Sequence, residues 1–262
     1  LAENTVPDIR IFPEKERKEM LKAYWTRMSK ERPIQVASLK EWEARRAFLQ
    51  KQAMDGFGLD PRPPKVPLDL TYGASLERDD CAITRVDFQT FPGFYATAWL
   101  YMPKNTTFPA PAVLHPHGHW ANWSADDIVQ SRCIGLARRG YVSLVIQYEH
   151  FEDLATGLPM RGVFLWNNIR GLDVLESLPQ VDKKRIGVTG ASGGGLQSMD
   201  MAALDPRIQC AAIAVFPTYY NRVCYFHVFG CCYYSPLGAM RYMDQQELIA
   251  LIAPRPAVTF TV

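Results

Sequence analysis

The hydrophobic positions of this chain alternate between strand spacing and helical spacing from residue 111 onward. Short apolar runs rich in β-branched residues predict buried strands, and runs with apolar residues three and four positions apart predict helices. Strands that alternate with helices favour a mostly parallel sheet with helices on both faces. The predicted strands are residues 111–115, 141–147, 186–189, 208–216 and the beginning of one more at 257–262, and the predicted helices are 124–140, capped by Ser124, 163–178 and 196–204.

The N-terminal part of the chain shows helical spacing first and strand spacing later. Ser38 followed by Glu41 predicts a capping box that opens a helix, and residues 81–88 and 94–102 predict an antiparallel hairpin. We therefore predict a helical extension with a proline-rich connector over residues 1–68 and one α/β domain over residues 69–262. An earlier helix is indicated by apolar residues that share one helical face and are expected to pack, namely Met20, Leu21, Tyr24, Trp25 and Met28.

Composition and charge are typical of a globular enzyme. The 262 residues are 48% hydrophobic and carry a formal net charge of +2, so a nucleic acid is not expected as a partner. No run of about 18 apolar residues occurs, so we predict no membrane span. The chain opens without a methionine, which a removed leader or a trimmed chain would explain equally, and we favour a secreted or periplasmic location over a cytoplasmic one.

The six cysteines show no spacing typical of a zinc site. Buried thiols are the expectation for most of them, including Cys210 in an apolar strand-like run. Cys224, Cys231 and Cys232 are candidates for a disulfide if the protein is exported.

Residues 185–195 place the pattern Gly-x-Ser-x-Gly, centred on Ser192, directly behind a β-branched run and ahead of a helical run. A sharp turn from strand to helix holds a serine hydroxyl clear of the backbone, where a histidine can take its proton. A glycine-rich turn before a helix can also hold a phosphate, but the lysine and serine or threonine of a phosphate loop do not follow here. The sequence therefore predicts that Ser192 is a catalytic nucleophile.

A second candidate loop follows the predicted strand 111–115, with the sequence His-Pro-His-Gly-His-Trp over residues 115–120. Ligands of a parallel sheet bind beyond the carboxyl ends of its strands. We predict that the backbone N–H groups of Gly193 and His119 form an oxyanion hole. The three histidines also suggest a metal site, but alternate strand positions point to opposite faces and no carboxylate follows until Asp126, so we expect neither a metal nor a cofactor.

Further residues are candidates for lining a pocket at the same edge of the sheet. Tyr148, Glu149 and His150 follow the predicted strand 141–147. For His150 we favour structural hydrogen bonding, and a catalytic base is the alternative role. Trp120, Trp123 and Trp166 are candidates for an apolar wall or one that stacks on sugars, and core packing is an equally good interpretation of Trp166.

Four stretches together resemble the acetyl xylan esterase-like branch of the α/β-hydrolases. They are residues 115–120, 133–137, 185–195 and the Ala-Pro-Arg-Pro turn within 250–256, and the resemblance covers roughly residues 80–262. It implies an α/β-hydrolase fold in which the serine attacks a carboxylic ester, often an acetyl or related ester of a plant polysaccharide, without cofactor or metal. It also implies that the helical N-terminal segment is an extension such as many of these bacterial enzymes carry. Glucuronoyl esterases are similar, but an arginine usually follows their nucleophile, and here Gly193 stands in that position.

The chain departs from this family's pattern at its end. The family's acid usually follows the seventh strand and its histidine the eighth, whereas this sequence stops at Val262 within the seventh predicted strand. We therefore expect the acid, the base, and a final strand and helix to lie beyond the given sequence. A triad of Ser192, Asp244 and His227 would reverse the usual order and is the alternative. The alternative functions are a noncatalytic binding protein and a peptidase of the prolyl oligopeptidase type. The expected partner is a small-molecule or carbohydrate ester, and an oligomer is possible.

Overall fold

A computed structural model describes residues 13–30, 36–148, 156–216 and 242–260 of the chain. Its helices, numbered in chain order, are α1 (Glu14–Lys30), α2 (Leu39–Gly56), α3 (Asp127–Ala137), α4 (Met160–Ser177), α5 (Gly193–Leu204) and α6 (Gln245–Ala250), with a 3-10 turn at Trp123–Ala125. Its strands are β1 (Thr71–Glu77), β2 (Cys81–Phe91), β3 (Phe94–Pro103), β4 (Ala110–Leu114), β5 (Val142–Ile146), β6 (Val181–Ala191), β7 (Ile208–Ala214) and β8 (Ala257–Phe260).

The strands form one sheet in the order β1-β2-β3-β5-β4-β6-β7-β8. The first three strands pair antiparallel, β5 pairs antiparallel with β3, and the segment β5-β4-β6-β7-β8 is parallel. The predicted mostly parallel sheet of an α/β-hydrolase, with its preceding hairpin, is therefore confirmed. Because β5 and β6 lie on opposite sides of β4, the connections after β4 and β6 leave a crevice between them, which is the usual ligand position in such sheets.

Helices cover both faces of the sheet. On one face, α3 packs on a cluster that includes Cys81, Tyr101 and Val145. On the other face, α4 and α5 pack on a larger cluster that includes Leu144 and Ile146. Neighbouring residues of β5 thus enter opposite clusters, because successive side chains of a strand point to opposite faces.

The N-terminal helices differ in how they meet this core. The Ser38 hydroxyl accepts a hydrogen bond from the Glu41 N–H at 3.2 Å and caps α2, as predicted. The Glu41 carboxylate accepts from the Ala37 N–H at 2.8 Å and not from that of Ser38, so the second half of the predicted capping box is not formed. Leu49 and Ala53 of α2 are fully buried in the larger cluster, as is Phe57, the residue that follows the helix. The residues on one face of α1 were predicted to pack. This prediction is wrong for Met20 and Tyr24, the two of them whose side chains are described, because both are exposed.

Two elements of the structure were not predicted, and one predicted cap is wrong. All seven residues of strand β1 are exposed, so its sequence gives no alternating pattern. Helix α6 is only six residues long, and a capping box between Asp244 and Glu247 supports it. The cap of α3 is Asp126, whose carboxylate accepts from the Ile128 N–H at 3.2 Å, and not Ser124. Ser124 lies in the preceding 3-10 turn, where its hydroxyl contacts the Gln147 side chain.

The described cysteines are free thiols, and one of them contradicts the expectation of burial. Cys81 and Cys133 are buried, and desolvation raises their pKa values to about 11 and about 12. Cys210 is exposed, because Ala211 and Ile213 face the core cluster and Cys210 occupies the opposite face of β7. The disulfide candidates Cys224, Cys231 and Cys232 lie outside the described residues.

Two further facts describe the surface of the fold. Strand β8 lies at the edge of the sheet, and its side chains Val258 and Phe260 are exposed. Among the helices that the structure describes, none has the length and apolar character needed to cross a bilayer.

A buried ion pair joins α4 to α5. The Arg161 guanidinium donates two hydrogen bonds to the Asp200 carboxylate, at 2.7 Å and 2.6 Å, and both side chains are about 1% exposed. The guanidinium also lies 5.1 Å from the Phe57 ring centroid, so the end of α2 packs on the same pair. Burial raises the pKa of the Asp200 carboxyl, and the Arg161 charge opposes that shift.

We expect Arg161→Met to lower the free energy of unfolding by about 3–5 kcal/mol, because it leaves the Asp200 carboxylate buried without its cation. The double variant Arg161→Met, Asp200→Leu should be less destabilised. The loss in the single variant should shrink as the pH falls from 7.5 towards 5, since the raised pKa of the folded state favours protonated Asp200 at low pH. Urea unfolding followed by circular dichroism measures the free energy of unfolding of the wild type, the single variant and the double variant at each pH.

The matched control is Arg185→Met, which breaks an exposed pair with Asp182 and should shift the unfolding midpoint little. Equal destabilisation by Arg161→Met and Arg185→Met would contradict a special role of the buried pair.

Candidate active site

The site is built from two loops that leave neighbouring strands. Leu114 of β4 pairs with Val188 of β6 in the parallel ladder, so both strands end at the same edge of the sheet. Residues 115–120 continue from β4, and the turn at Ser192 continues from β6 into α5. The topology therefore brings the two sequence motifs together at the crevice.

Ser192 has a backbone conformation that side chains rarely adopt. Its φ is 57° and its ψ is −125°, and it is the N-cap residue of α5. Such a conformation costs about 1–3 kcal/mol and persists only where the surrounding structure imposes it. Here the Ser192 N–H donates to the Ala214 carbonyl at 3.1 Å, and the Ser192 carbonyl accepts from Leu196 at 3.0 Å. Val215, the residue after β7, is also strained at φ 65°.

Glycines are required around this turn because other backbone segments approach it closely. A Cβ atom on Gly190 would lie 2.5 Å from the Pro116 carbonyl oxygen, and one on Gly194 would lie 2.2 Å from the same atom. A Cβ atom on Gly195 would lie 2.2 Å from the Ala214 carbonyl oxygen. The glycine pattern is therefore a packing requirement that holds the loop after β4 and the strand β7 against the turn.

Gly118 faces the serine directly. A Cβ atom there would lie 3.2 Å from the Ser192 Cβ and 3.4 Å from the Gly193 nitrogen. Gly193 is the first residue of α5, where backbone N–H groups have no partner within the helix and the helix dipole is positive. This arrangement can stabilise a developing negative charge beside the serine. His119, the next residue of the loop, is exposed, and its N–H remains the predicted second donor.

The three histidines of the loop occupy three different environments. His115 and His117 are fully buried, whereas His119 is exposed, with its ring 6.2 Å from the Trp123 ring. In the described ranges, no three His, Cys, Asp or Glu side chains are grouped as metal ligands would be.

His115 is held as a neutral ring by its neighbours. The Arg132 Nε–H donates to His115 Nδ1 at 3.1 Å, so the proton of the neutral ring lies on Nε2, which is 3.1 Å from the Ser143 hydroxyl. Burial, and then the Arg132 charge, lowers the pKa of His115 well below its usual value. His115 therefore orients the end of β4 and does not reach the serine.

A buried chain of amides supports the loop from behind. The Tyr148 hydroxyl donates to Asn168 at 2.8 Å, and the Asn168 amide donates to the Gln197 side chain at 2.8 Å. The Gln197 amide in turn donates to the His117 carbonyl at 3.5 Å. The chain links β5, α4 and α5 to the loop, and the Tyr148 ring also packs 4.6 Å from the His117 ring. Tyr148 thus supports the loop and does not line an open pocket.

The tryptophans divide between the core and the edge of the site. Trp166 is 3% exposed, and its indole N–H donates to the Thr90 carbonyl at 2.8 Å, so core packing is confirmed for it. Trp120 is half-buried against the cluster around α3. Trp123 is half-buried with φ 51°, and its ring lies 6.1 Å from that of His117. Trp123 therefore lies beside the rings of both His117 and His119.

The remaining predicted residues either lie outside the described residues or have another role in the fold. Glu149, His150 and His227 lie outside the described residues, so their roles stay predictions. The Asp244 side chain caps α6 and accepts from the Gln245 N–H at 2.7 Å. Within the described part of the chain, the Ser192 hydroxyl has no hydrogen-bond partner.

Sequence reasoning missed the residues that support the site from below. Asn168 and Gln197 interrupt apolar helical runs, and a buried amide in such a run is the signal that could have found them. Nothing in the sequence indicates the left-handed conformation of Trp123.

The sequence of this chain is similar to that of a known family and to that of one named relative. A family model described as acetyl xylan esterase (AXE1) matches residues 68–246. The chain is 30% identical over 189 residues to the "Putative hydrolase YtaP" of Bacillus subtilis (strain 168), covering 62% of this chain and 62% of YtaP.

Solved structures are similar over most of this chain. "Methylesterase BT1017" superposes with a TM-score of 0.71 and 24% identity, covering 94% of this chain and 55% of that protein. The "putative acetyl xylan esterase" of Bacteroides fragilis NCTC 9343 superposes with a TM-score of 0.76 and 15% identity, covering 97% of this chain and 76% of that protein. At these identities the superpositions show the fold alone. The chain spans 62% of YtaP and 55% of BT1017, which is less than two thirds of either relative.

The lowered pKa of His115 predicts that stability falls in mild acid. Below pH 6.5 the unfolded chain binds a proton that the folded protein excludes, so the free energy of unfolding should fall by about 1.4 kcal/mol per pH unit until the folded pKa is reached. His115→Gln should remove this contribution, and the wild-type and variant curves should converge between pH 7.5 and pH 5.5. Urea titrations at several pH values measure it. His119→Gln, at an exposed position, is the matched control, and parallel curves for wild type and His115→Gln would contradict the assignment.

Proposed function

Because the chain belongs to the acetyl xylan esterase family, we propose that the protein hydrolyses carboxylic esters through an acyl-enzyme on Ser192, with acetyl or related esters of carbohydrates as substrates. The observation that carries the proposal is the strained Ser192, placed between the Gly118 loop and the start of α5. A protein without catalytic function has no physical need for that strain, which argues against a noncatalytic binding role.

The proposed reaction follows from the positions of these groups. The Ser192 hydroxyl gives its proton to a general base as its oxygen bonds to the acyl carbon, and the negative charge that develops on the carbonyl oxygen is stabilised by the N–H groups of Gly193 and His119. The bond to the alcohol oxygen then breaks, and the alcohol leaves with the proton that the base took from the serine. Water next gives a proton to the same base and attacks the acyl carbon, and the serine oxygen leaves with that proton as the acid is released. A histidine and a carboxylate that complete the triad are proposed to lie outside the described residues.

The carbohydrate part of the substrate is supported by the family and by the surface beside the serine. Trp123 and the exposed His119 form a partly open aromatic edge next to the loop, and rings of this kind pack on the apolar faces of sugars. Several solved neighbours are esterases by name, among them a glucuronoyl esterase from Solibacter usitatus with 17% identity and a TM-score of 0.63. In glucuronoyl esterases an arginine usually follows the nucleophile. Here Gly193 follows Ser192, which favours acetyl esters over glucuronoyl esters as substrates.

We expect Ser192→Ala to lower kcat/KM by about a thousandfold or more on p-nitrophenyl acetate, because the nucleophile is lost while the oxyanion donors remain. Its unfolding midpoint should stay near that of the wild type, since the half-buried hydroxyl has no hydrogen-bond partner among the described residues. Ser131→Ala, on the exposed surface of α3, is the control that should keep full activity. Comparable turnover by the Ser192 and Ser131 variants would contradict the proposal.

We expect Gly118→Ala to reduce kcat by about a hundredfold or more with a smaller effect on KM, because the new methyl group would lie beside the Gly193 N–H. Gly135→Ala on α3 is the matched control, since its Cβ would meet nothing closer than Arg139 at 3.7 Å. Steady-state kinetics on folded proteins decide the matter. Wild-type kcat in a folded Gly118→Ala protein would show that the oxyanion site lies elsewhere.

A further inference from the structure

A groove lies at the end of α5 that is opposite to Ser192. It is formed between α2, the connector that follows it and the C-terminal end of α5, and its volume is about 520 Å³. Ser192 caps the other end of this 12-residue helix, so the groove and the serine are separated by about 18 Å along the helix axis. We call it the basic groove and define it by its charged lining, Arg46, Lys51, Asp60, Arg62 and Arg255.

The charges of the basic groove do not balance. Four of the five charged lining residues are cations. The single acid among them, Asp60, forms an ion pair with Lys51, with 2.9 Å between Oδ2 and Nζ. Among the described residues, neither Arg46 nor Arg62 has a hydrogen bond or an ion pair. Since the formal net charge of the whole chain is only +2, this excess is local and not part of a generally basic surface.

Arg255 holds a fixed position in the groove. Its guanidinium donates to the carbonyls of Ala202, Asp205 and Ile208, at distances between 2.5 Å and 3.1 Å, and so satisfies backbone groups at the end of α5. This capping role accounts for Arg255 in the Ala-Pro-Arg-Pro turn, but neither Arg46 nor Arg62 shares it. Burial, and then the charge of Arg46, lowers the pKa of Arg255, whereas the charge of Asp205 raises it, so Arg46 repels the Arg255 guanidinium while Asp205 attracts it.

An anion is the ligand that would remove this repulsion. Planar guanidinium groups donate paired hydrogen bonds that match the oxygens of carboxylate and phosphate groups. The volume lies within the range of about 300–1,000 Å³ that is usual for small-molecule sites. Apolar side chains such as Met54, Leu59 and Leu204 complete the lining and can contact the uncharged part of a ligand.

We propose that the basic groove binds a compact ligand with two or more carboxylate or phosphate groups, at a site separate from the serine. Arg46 and Arg62 bind the anionic groups, and Arg255 supplies a fixed positive charge behind them. The site goes beyond the proposed ester hydrolysis, because it requires neither Ser192 nor the loop after β4.

Isothermal titration of the intact natural protein with citrate and with pyrophosphate, at low ionic strength, tests the proposal. The two titrants distinguish carboxylate from phosphate as the preferred group, and saturable binding of either one with a stoichiometry near one is expected. Arg46→Gln, Arg62→Gln should weaken that binding at least tenfold. Arg255 is kept unchanged because its loss would also remove the cap of α5.

The matched control is Lys40→Gln, Lys183→Gln, which removes the same charge from exposed positions outside the groove and should weaken binding less than twofold. Ser192→Ala should bind the titrant as the wild type does, which separates this result from any failure of ester hydrolysis. Absence of saturable binding by the folded wild type, equal weakening in the two double variants, or loss of binding in Ser192→Ala would each overturn the proposal.

Discussion

The approach of two backbone segments without intervening side chains determines the geometry of the candidate site. The Pro116 carbonyl oxygen lies only 2.5 Å from the position that a Cβ atom on Gly190 would take, and 2.2 Å from the position of one on Gly194. This contact sets the distance between the loop after β4 and the turn after β6. It therefore also sets the distance between Gly118 and Ser192, on which any oxyanion stabilisation depends.

The contact is supported from behind by polar groups that are buried and satisfied. The Arg161–Asp200 pair holds α4 to α5, and the chain from Tyr148 through Asn168 and Gln197 reaches the carbonyl of the loop. Polar groups in such surroundings are costly unless their partners are correctly placed. They consequently favour one arrangement of the helices, whereas apolar packing alone tolerates small shifts.

Helix α5 connects the features that carry chemistry. Its N-terminus presents the strained Ser192 and the Gly193 N–H, and its C-terminus is capped by Arg255 within the basic groove. Because α2 packs against α5 and its buried residues Leu49 and Ala53 belong to the larger core cluster, the N-terminal segment takes part in positioning this helix. Helix α2 is thus a structural support of the same sheet that holds the site.

The sequence by itself determined the elements with strong local signals. The alternating pattern predicted the parallel sheet and its hairpin, Ser38 with Glu41 predicted the start of α2, and the residues around Ser192 predicted the strand-turn-helix, because periodicity, caps and glycine patterns are local properties. Only the tertiary structure decided that Cys210 is exposed, that Ser124 contacts Gln147 and leaves the cap of α3 to Asp126, and that β1 pairs with β2. It also decided which buried polar groups meet, such as Asn168 with Gln197, and that Arg255 shares one groove with Arg46 and Arg62. These features depend on contacts between residues far apart in sequence, which no local pattern encodes.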